Sequence, residues 1–478
     1  MNLDAFLAIE KKYNLITDTV DGFAYWVFFR WDLAEEIQIH TGYGVAHMQP
    51  PFSGRRQLQY RLDMIKNAIL FGNRFRGECD VLVLNDERRA WTGSYYESTY
   101  TDQIVSMYPD SVVLERPYLQ NHFRPVTTKR LVYTDYIEIK AMLYYNWCQK
   151  FAVSKMRKIR EEIYCRIQKP IKEICNAYNF EYDISGILDK MLCGYYVHKI
   201  KRKEFAKVLD KYNPKLILEV CGYNLDCMTV NELADERNIP SIELQHGFTG
   251  TEHISYNYSK GASVKQFPQY FFAFSDFWAK SASYPIPESN IKVIGFPHLE
   301  KKAAAVKARV KKGKLKKIIF ISQGPIGAVL SKVAVNLDKL IDKEKYEIIY
   351  KLHPGEFEGW KERYTELAAS GILVADNNYY DLYELFAEST FQVGAYGSTA
   401  TFEGLYFGLK TFVLRDKAAP ALELLCERKI ARFFDTAEEL YKLIDQDDNI
   451  QNKSINFWKE NALENMKREI DNIIESRR

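Results

Sequence analysis

From about residue 210 to 415 the chain alternates short, wholly apolar runs with stretches whose apolar positions recur at helical spacing. LILEVC (216–221), SIEL (241–244), YFFAFS (270–275) and IKVIG (291–295) are too short for helices and too apolar for surface strands, so they predict buried strands. The pattern resumes with KIIFIS (317–322), YEIIYKL (346–352), GILVAD (371–376), FQVGA (391–395) and KTFVL (410–414), and RFFD (432–435) predicts an edge strand. Upstream, DVLVLN (80–85) and SVVLE (111–115) predict two more. Residues 1–75 read as mostly helical, with an aromatic entry at 23–31. Residues 126–212 read as helical and basic, and 453–478 as a polar terminal helix. Apolar strand, helix, apolar strand in repetition is the signature of parallel α/β sheets.

At 478 residues the chain exceeds what one core organises. The breaks predict a first doubly wound domain over 1–300 with a helical insertion at about 126–212. A basic interdomain linker follows at 301–317, inside EKKAAAVKARVKKGKLKK, and then a second doubly wound domain at 318–452. The terminal helix 453–478 would cross back to the first domain. Two such domains would face a cleft with their strand carboxyl ends, where open α/β sheets bind ligands.

Composition narrows the function classes. With 47 % hydrophobic and 27 % charged residues the chain is a folding one, and a net charge of +3 gives no global field for nucleic acid. Cations nevertheless cluster at 155–160, 199–203 and 300–317, and are either solvated helix faces or contacts for an anionic membrane surface. The eight cysteines form no CxxC pair, which suits reduced thiols in the cytoplasm. No signal-peptide layout and no apolar run near 18 residues is present, so the expected location is cytoplasmic, at the furthest the inner face of the membrane. The one Asp-x-Asp, Asp445-Gln446-Asp447, lies in a polar tail segment and predicts no metal. Arg88 and Arg89 follow the first strand and are expected at the surface.

Candidate chemistry falls where predicted strands end. Ser398 is placed to cap a helix whose free N–H groups attract an anion, with Thr399 beside it. Glu403, four residues on, shares the face of Thr399 and suits a pair of vicinal hydroxyls, so phosphate and ribose would sit together. His353 precedes Pro354, which holds its backbone extended, and an imidazole donor there suits a phosphate leaving group. Gln323 and Gly324 follow the first strand of the second domain. In the first domain Gln245-His246-Gly247 delivers a second imidazole, a candidate general base, with Gly247 allowing close approach. Lys351, Glu356, Gln245 and Gly247 are supporting candidates, and Arg415 a peripheral one.

The order QHG (245–247), KLHPGE (351–356), GAYGSTATFEGLYFGLKTFVL (394–414) resembles sugar-nucleotide-dependent transferases of the GT-B fold. It is most similar to bacterial surface-polysaccharide enzymes: capsule-type and polysialyltransferase-like glycosyltransferases and CDP-glycerol polyol-phosphate transferases. The resemblance covers about 210–415. It implies two Rossmann-like domains, donor phosphate on His353 and Ser398-Thr399 with Gln323 and Gly324 as further candidates, and ribose on Glu403; the polyol-phosphate transferases imply His246 as base, the polysialyl type an acidic residue, and the two stay open. The implied activity is metal-independent transfer of a sugar from a CMP-, CDP-, UDP- or GDP-linked donor to a hydroxyl of a growing surface glycan (capsule, O-antigen of lipopolysaccharide or similar), free or lipid-linked. No cofactor beyond the donor is implied. Direct displacement would invert the anomeric centre, and retention on the same fold stays open. Polyol-phosphate transfer, a hydrolysing sugar-nucleotide epimerase and a non-catalytic assembly subunit stay open as well.

Overall fold

The structure, a computed structural model, describes residues 2–41, 54–72, 75–86, 89–117, 122–377, 379–416, 420–446 and 456–476. They form two compact units: unit 1 runs to Pro297 and takes up the chain again from Asn461, and unit 2 is His298–Glu460.

Unit 1 begins with helices α1 (Asp4–Lys12), α2 (Tyr25–His40) and α3 (Gly54–Phe71). Strand β1 (Val81–Leu84), a small hairpin of β2 (Ala90–Trp91) and β3 (Tyr96–Glu97), helix α4 (Asp102–Met107), β4 (Val112–Glu115) and β5 (Leu131–Tyr133) come next. The long helices α5 (Asp135–Phe151), α6 (Val153–Tyr178) and α7 (Ile184–Tyr212) lead to β6 (Leu216–Val220), α8 (Leu225–Arg237), β7 (Ser241–Leu244), β8 (Tyr270–Ala273), α9 (Asp276–Ala279) and β9 (Ile291–Val293). The seven-stranded parallel sheet has the order β5-β4-β1-β6-β7-β8-β9. Alternate residues of β1 serve opposite faces: Val81 and Val83 join one core, Leu82 and Leu84 the other, where Phe205, Leu209 and Tyr212 of α7 cover them.

Unit 2 opens with α10 (Pro297–Arg309), β10 (Lys316–Ile321), α11 (Gly327–Leu340), β11 (Tyr346–Lys351), α12 (Trp360–Arg363), α13 (Thr365–Ala369) and β12 (Leu373–Ala375). It continues through α14 (Leu382–Glu388), β13 (Ser389–Gly394), α15 (Thr399–Tyr406), β14 (Lys410–Leu414), α16 (Pro420–Glu427), β15 (Ala431–Phe434) and α17 (Ala437–Asp445). Its parallel sheet has the order β12-β11-β10-β13-β14-β15, so Arg432 and Phe433 do lie on an edge strand. The last helix, α18 (Ala462–Glu475), belongs to unit 1. There Met466, Ile470 and Ile473 join Val81 and Val83, and Asn465 Nδ2 donates to the Ile294 carbonyl at 3.2 Å.

In both units the chain steps outward from a central strand, returns, and continues on the other side. The fold is therefore two doubly wound α/β sheets, with topological switch points at β1/β6 and β10/β13.

Three expectations change. Residues 126–212 are not helical throughout: Leu131–Tyr133 is a buried strand pairing with β4, too short for its own apolar run to be separated from α5. The basic stretch 301–317 is largely helix α10, whose Ala303 and Val306 are buried and whose Lys302 pairs with Asp381, so its first half is part of unit 2's packing. Arg89 is not at the surface. It is buried with Nη2 at 2.6 Å from Glu115 Oε2 and Nη1 at 3.3 Å from Asp102 Oδ2, because β4 brings Glu115 to it and the start of α4 brings Asp102. Arg88 lies outside the described residues.

Candidate functional site

In unit 2 the strands β11, β10 and β13 are adjacent, so the loops that follow them leave one sheet edge side by side, each about 5 Å from the next. Gln323, Gly324 and Pro325 follow β10; the Gln323 carbonyl accepts the N–H of Ile326 and of Gly327, which starts α11. Gly324 has open space where a side chain would stand.

His353 lies two residues beyond β11 and opens a single turn. Its Nδ1 accepts the Gly355 N–H at 3.1 Å, and Glu356 Oε2 accepts the His353 N–H at 3.0 Å. With Nδ1 engaged as an acceptor, the neutral ring carries its proton on Nε2 and presents a donor. Glu356 also accepts Ser322 Oγ (3.0 Å) and Tyr364 Oη (2.6 Å) on Oε1, so this buried carboxylate shapes the turn that aims His353. Lys351 lies 5.0 Å over the Phe357 ring, and burial pushes its ammonium down to about 8 against the pull of Asp376 and Asp381.

After β13 the chain turns through Tyr396 and Gly397 to Ser398, the N-cap of α15, whose hydroxyl accepts the Ala400 N–H at 3.3 Å. Thr399 begins the helix. Gly404 lets α15 lie against β13: a Cβ there would stand 2.0 Å from Gln392 Oε1, and Gln392 Nε2 donates to the Thr401 carbonyl (2.9 Å) and to Thr411 Oγ1 (2.7 Å). Glu403 is no solvated helix-face residue. It is 9 % exposed, and burial pushes its carboxyl up to about 7 while the Tyr383 hydroxyl donates to it. A buried carboxyl one turn below a capped helix start is able to accept from a hydroxyl pair. Arg415 is peripheral, with Nε 3.2 Å from Asp435 Oδ1 and both side chains 58 % exposed.

In unit 1, β7 ends in Gln245-His246-Gly247. Gln245 is buried and engaged within the loop: Nε2 donates to the Gly247 carbonyl (3.0 Å), and Oε1 accepts the Phe274 N–H (2.8 Å). Gly247 has open space at its Cβ position. The His246 carbonyl accepts Tyr100 Oη at 2.6 Å, and the ring lies between two phenols, Tyr223 Oη 3.5 Å from Nε2 and Tyr256 Oη 3.5 Å from Nδ1. Glu243 Oε1 is 3.6 Å from Nδ1 and accepts Tyr256 Oη at 2.7 Å.

Glu243 is directly opposite Glu219 in the β6/β7 register. The two carboxyls converge under Gly222, where a Cβ would stand 2.5 Å from Glu243 Oε2 and 2.6 Å from Glu219 Oε1. Glu243 Oε1 also accepts the Gly222 N–H (3.0 Å) and Glu219 Oε1 accepts Asn231 Nδ2 (2.9 Å), while both Oε2 atoms are buried without a hydrogen-bond partner. Burial pushes Glu243 up to about 7, and burial reinforced by its neighbour pushes Glu219 well above the ordinary carboxyl range. His253, packed on Tyr223 and Tyr256, is driven down to about 3 by burial, hence neutral. Like charges this close cannot both ionise, so the pair keeps at least one proton at neutral pH.

No protein-family model matches the chain, and no curated protein is similar to it at a significant level. Among solved structures, it is similar to UDP-GlcNAc 2-epimerase from Methanocaldococcus jannaschii (13 % identity, TM-score 0.47, covering 82 % of this chain and 99 % of that one). It is also similar to UDP-GlcNAc 2-epimerase from Neisseria meningitidis bound to UDP-GlcNAc (10 %, 0.45, 83 % and 99 %) and to the glycotransferase of kitacinnamycin (10 %, 0.43, 84 % and 96 %). None of these pairs reaches a TM-score of 0.5, so the fold stands on the two sheet orders themselves.

The sequence reading thus has His353, Ser398, Thr399, Gln323 and Gly324 on one rim of unit 2, with Glu403 a turn below, and His246 on the corresponding rim of unit 1. It missed Glu219, Glu243 and Tyr256. Their signal was present: a lone acid inside LILEV and another inside SIEL, each in a strand otherwise buried on both faces. It also missed the buried Asn85–Arg89–Glu115–His122 cluster beyond the switch point, where His122 Nε2 is 2.9 Å from Asp135 Oδ2. Asp445 ends α17, and Asp447 lies outside the described residues.

Proposed function

We propose that the chain is a nucleotide-sugar-dependent glycosyltransferase of GT-B type that extends a bacterial surface glycan of the capsule or O-antigen kind, with unit 2 as the donor unit. The observation that carries this is the joint placement on one sheet edge of a tautomer-fixed His353 donor, the Ser398-capped start of α15 and, a turn below, the buried Glu403 carboxyl. The N–H groups and imidazole take the departing diphosphate, and Glu403 takes the ribose hydroxyls. In unit 1, His246 is the base for the acceptor hydroxyl, with Glu243 Oε1 3.6 Å from Nδ1 to orient the ring.

The donor is a CMP-, CDP-, UDP- or GDP-linked sugar, no separate cofactor is invoked, and the acceptor is a glycan or lipid-linked glycan at the cytoplasmic face of the membrane. Among the described residues no helix is long and apolar enough to cross a membrane. Thermal melting with CMP, CDP, UDP and GDP tests the donor site: one nucleotide should raise the melting temperature by several degrees, and His353→Ala should abolish both that rise and turnover. If no nucleotide stabilises the protein and no nucleotide sugar is turned over, the proposal fails.

A second reading is a hydrolysing sugar-nucleotide epimerase, which would use the same Ser398-capped helix start and the buried Glu403. It needs no acceptor, so free sugar released from donor alone would favour it. A CDP-alcohol donor releasing CMP in place of CDP would instead move the attacked atom to phosphorus and make the chain a polyol-phosphate transferase.

A further inference from the structure

The helical layer of unit 1 leaves an apolar face uncovered. On α5, Leu143, Trp147 and Phe151 stand at i, i+4 and i+8 and are 62, 52 and 71 % exposed, and Val153 at the start of α6 is 52 % exposed. Trp147 stacks on Tyr144 and touches Phe151, at centroid distances of 6.2 and 5.8 Å, so the side chains form one aromatic ridge. Helix α3 packs along α5, with Asn67 Nδ2 3.4 Å from Asp135 Oδ1, and turns Leu58, Leu62, Ile65 and Ile69 outward at helical spacing. These are second faces. Both helices already bury one, through Met64 and Asn67 on α3 and Ile137, Ala141 and Cys148 on α5. A soluble monomer rarely leaves stripes like these in water.

The charge around the ridge says what covers it. Residues 147–160 contain five cations and no acid. Among the described residues, exposed Lys150, Arg157 and Lys158 form no ion pair, and neither do Arg61 and Lys66 on α3. A second copy meeting this face across a twofold axis would set those cations against their own images. An anionic bilayer satisfies both features at once, since rings enter the boundary between head groups and acyl chains while the cations reach the phosphates.

We propose that the α3–α5–α6 face docks on an anionic lipid surface, with Trp147 and Phe151 as the inserted residues. This gives a surface to the membrane contact named above, yet it uses no residue of the candidate site and stands or falls separately from the donor reading.

The test is flotation of the full-length protein with phosphatidylglycerol/phosphatidylcholine vesicles and with phosphatidylcholine alone, at low and high salt. Binding should require the anionic lipid and weaken as salt rises. Replacing Lys150, Arg157 and Lys158 together by Gln should lower vesicle affinity on the order of a hundredfold, and Trp147→Ser/Phe151→Ser by tenfold or more. Both variants should keep the wild-type melting temperature and its response to nucleotide, which separates lost docking from lost folding. Absence of binding to anionic vesicles, or equal binding by wild type and variants, overturns the proposal. So does lipid-free self-association that Trp147→Ser/Phe151→Ser abolishes, which would make the face an interface between copies. Vesicle binding without any nucleotide response would sink the donor reading and leave this one standing.

Discussion

Replacing Glu403 by Gln should stabilise the ligand-free protein and cripple its nucleotide site, and the two effects separate by pH. The Glu403 carboxyl is pushed up to about 7 from the ordinary 4.5 by burial. Because the folded-state value lies above the unfolded one, the folded state binds the extra proton between those two pH values. Stability therefore falls as pH rises from 4.5 to 7 and is flat above. The full penalty is about 3 kcal/mol at 1.36 kcal/mol per pH unit, of which about 2.5 kcal/mol accrues between pH 5 and pH 8. Gln, equal in shape and always neutral, escapes it. In a unit of about 160 residues this corresponds to a melting-temperature gain over wild type that grows by roughly 5–10 °C between pH 5 and pH 8. Calorimetry of both proteins across that range reads it directly, and the difference cancels every other titrating group. In the same samples a nucleoside diphosphate should stabilise wild type by several degrees and the variant hardly at all, since an amide accepts a hydroxyl pair poorly. A gap that stays constant with pH would mean Glu403 is ionised in the folded protein. Nucleotide affinity within twofold of wild type would mean that ribose lies elsewhere.

Other outcomes follow from single contacts. His353→Asn retains a side-chain acceptor for the Gly355 N–H but loses the Nε2 donor, so turnover should fall on the order of a hundredfold with the melting temperature within about 1 °C; equal activity would remove His353 from the chemistry. Gly222→Ala drives a methyl to 2.5 Å from one buried carboxyl oxygen and 2.6 Å from another, and should cost about 1–3 kcal/mol by denaturant melting; a neutral result would show that the two glutamates give way. Arg30 is buried against Glu10 (2.7 Å) and donates to the Ile254 and Asn257 carbonyls (2.7 and 3.0 Å). Arg30→Ala should therefore destabilise unit 1 by about 3–5 kcal/mol, and Glu10→Ala added to it should cost less than the sum of the two single changes.

The sheets were legible because a parallel strand covered on both faces must be apolar at every position, and IIFI or LVL shows that in one sequence. Ser398 was legible for a similar reason, since a hydroxyl between a strand and a helical run has one common use, and it caps α15. Other features depended on partners remote in sequence. Arg89 reads as a surface cation until β4 brings Glu115 to it from 26 positions away. LVY at 131–133 merges with the apolar start of α5 unless one knows that β4 lacks a neighbour on that side. Register is the information a single chain lacks: Glu219 and Glu243 are each visible as misplaced charges, but only the β6/β7 pairing makes them face one another.

That pairing also separates the tasks of the two rims. Around β10, β11 and β13 the groups that face outward donate: backbone N–H at the α15 start, the His353 Nε2 proton, and a cation at Lys351. Around β6 and β7 the groups are acids and imidazoles: the buried Glu219/Glu243 pair, a neutral His253, and His246 between two phenols. An anion gains from the donors of the first rim, while a hydroxyl that must lose its proton finds an imidazole acceptor at the second. Exchanging the characters of the rims, for example by Glu243→Lys or His353→Glu, should therefore cost turnover by different routes. The first should leave nucleotide binding intact, and the second should abolish it. A Glu243→Lys protein that loses nucleotide binding while remaining folded would show that unit 1 supplies part of the anion site, and the division of labour would be wrong.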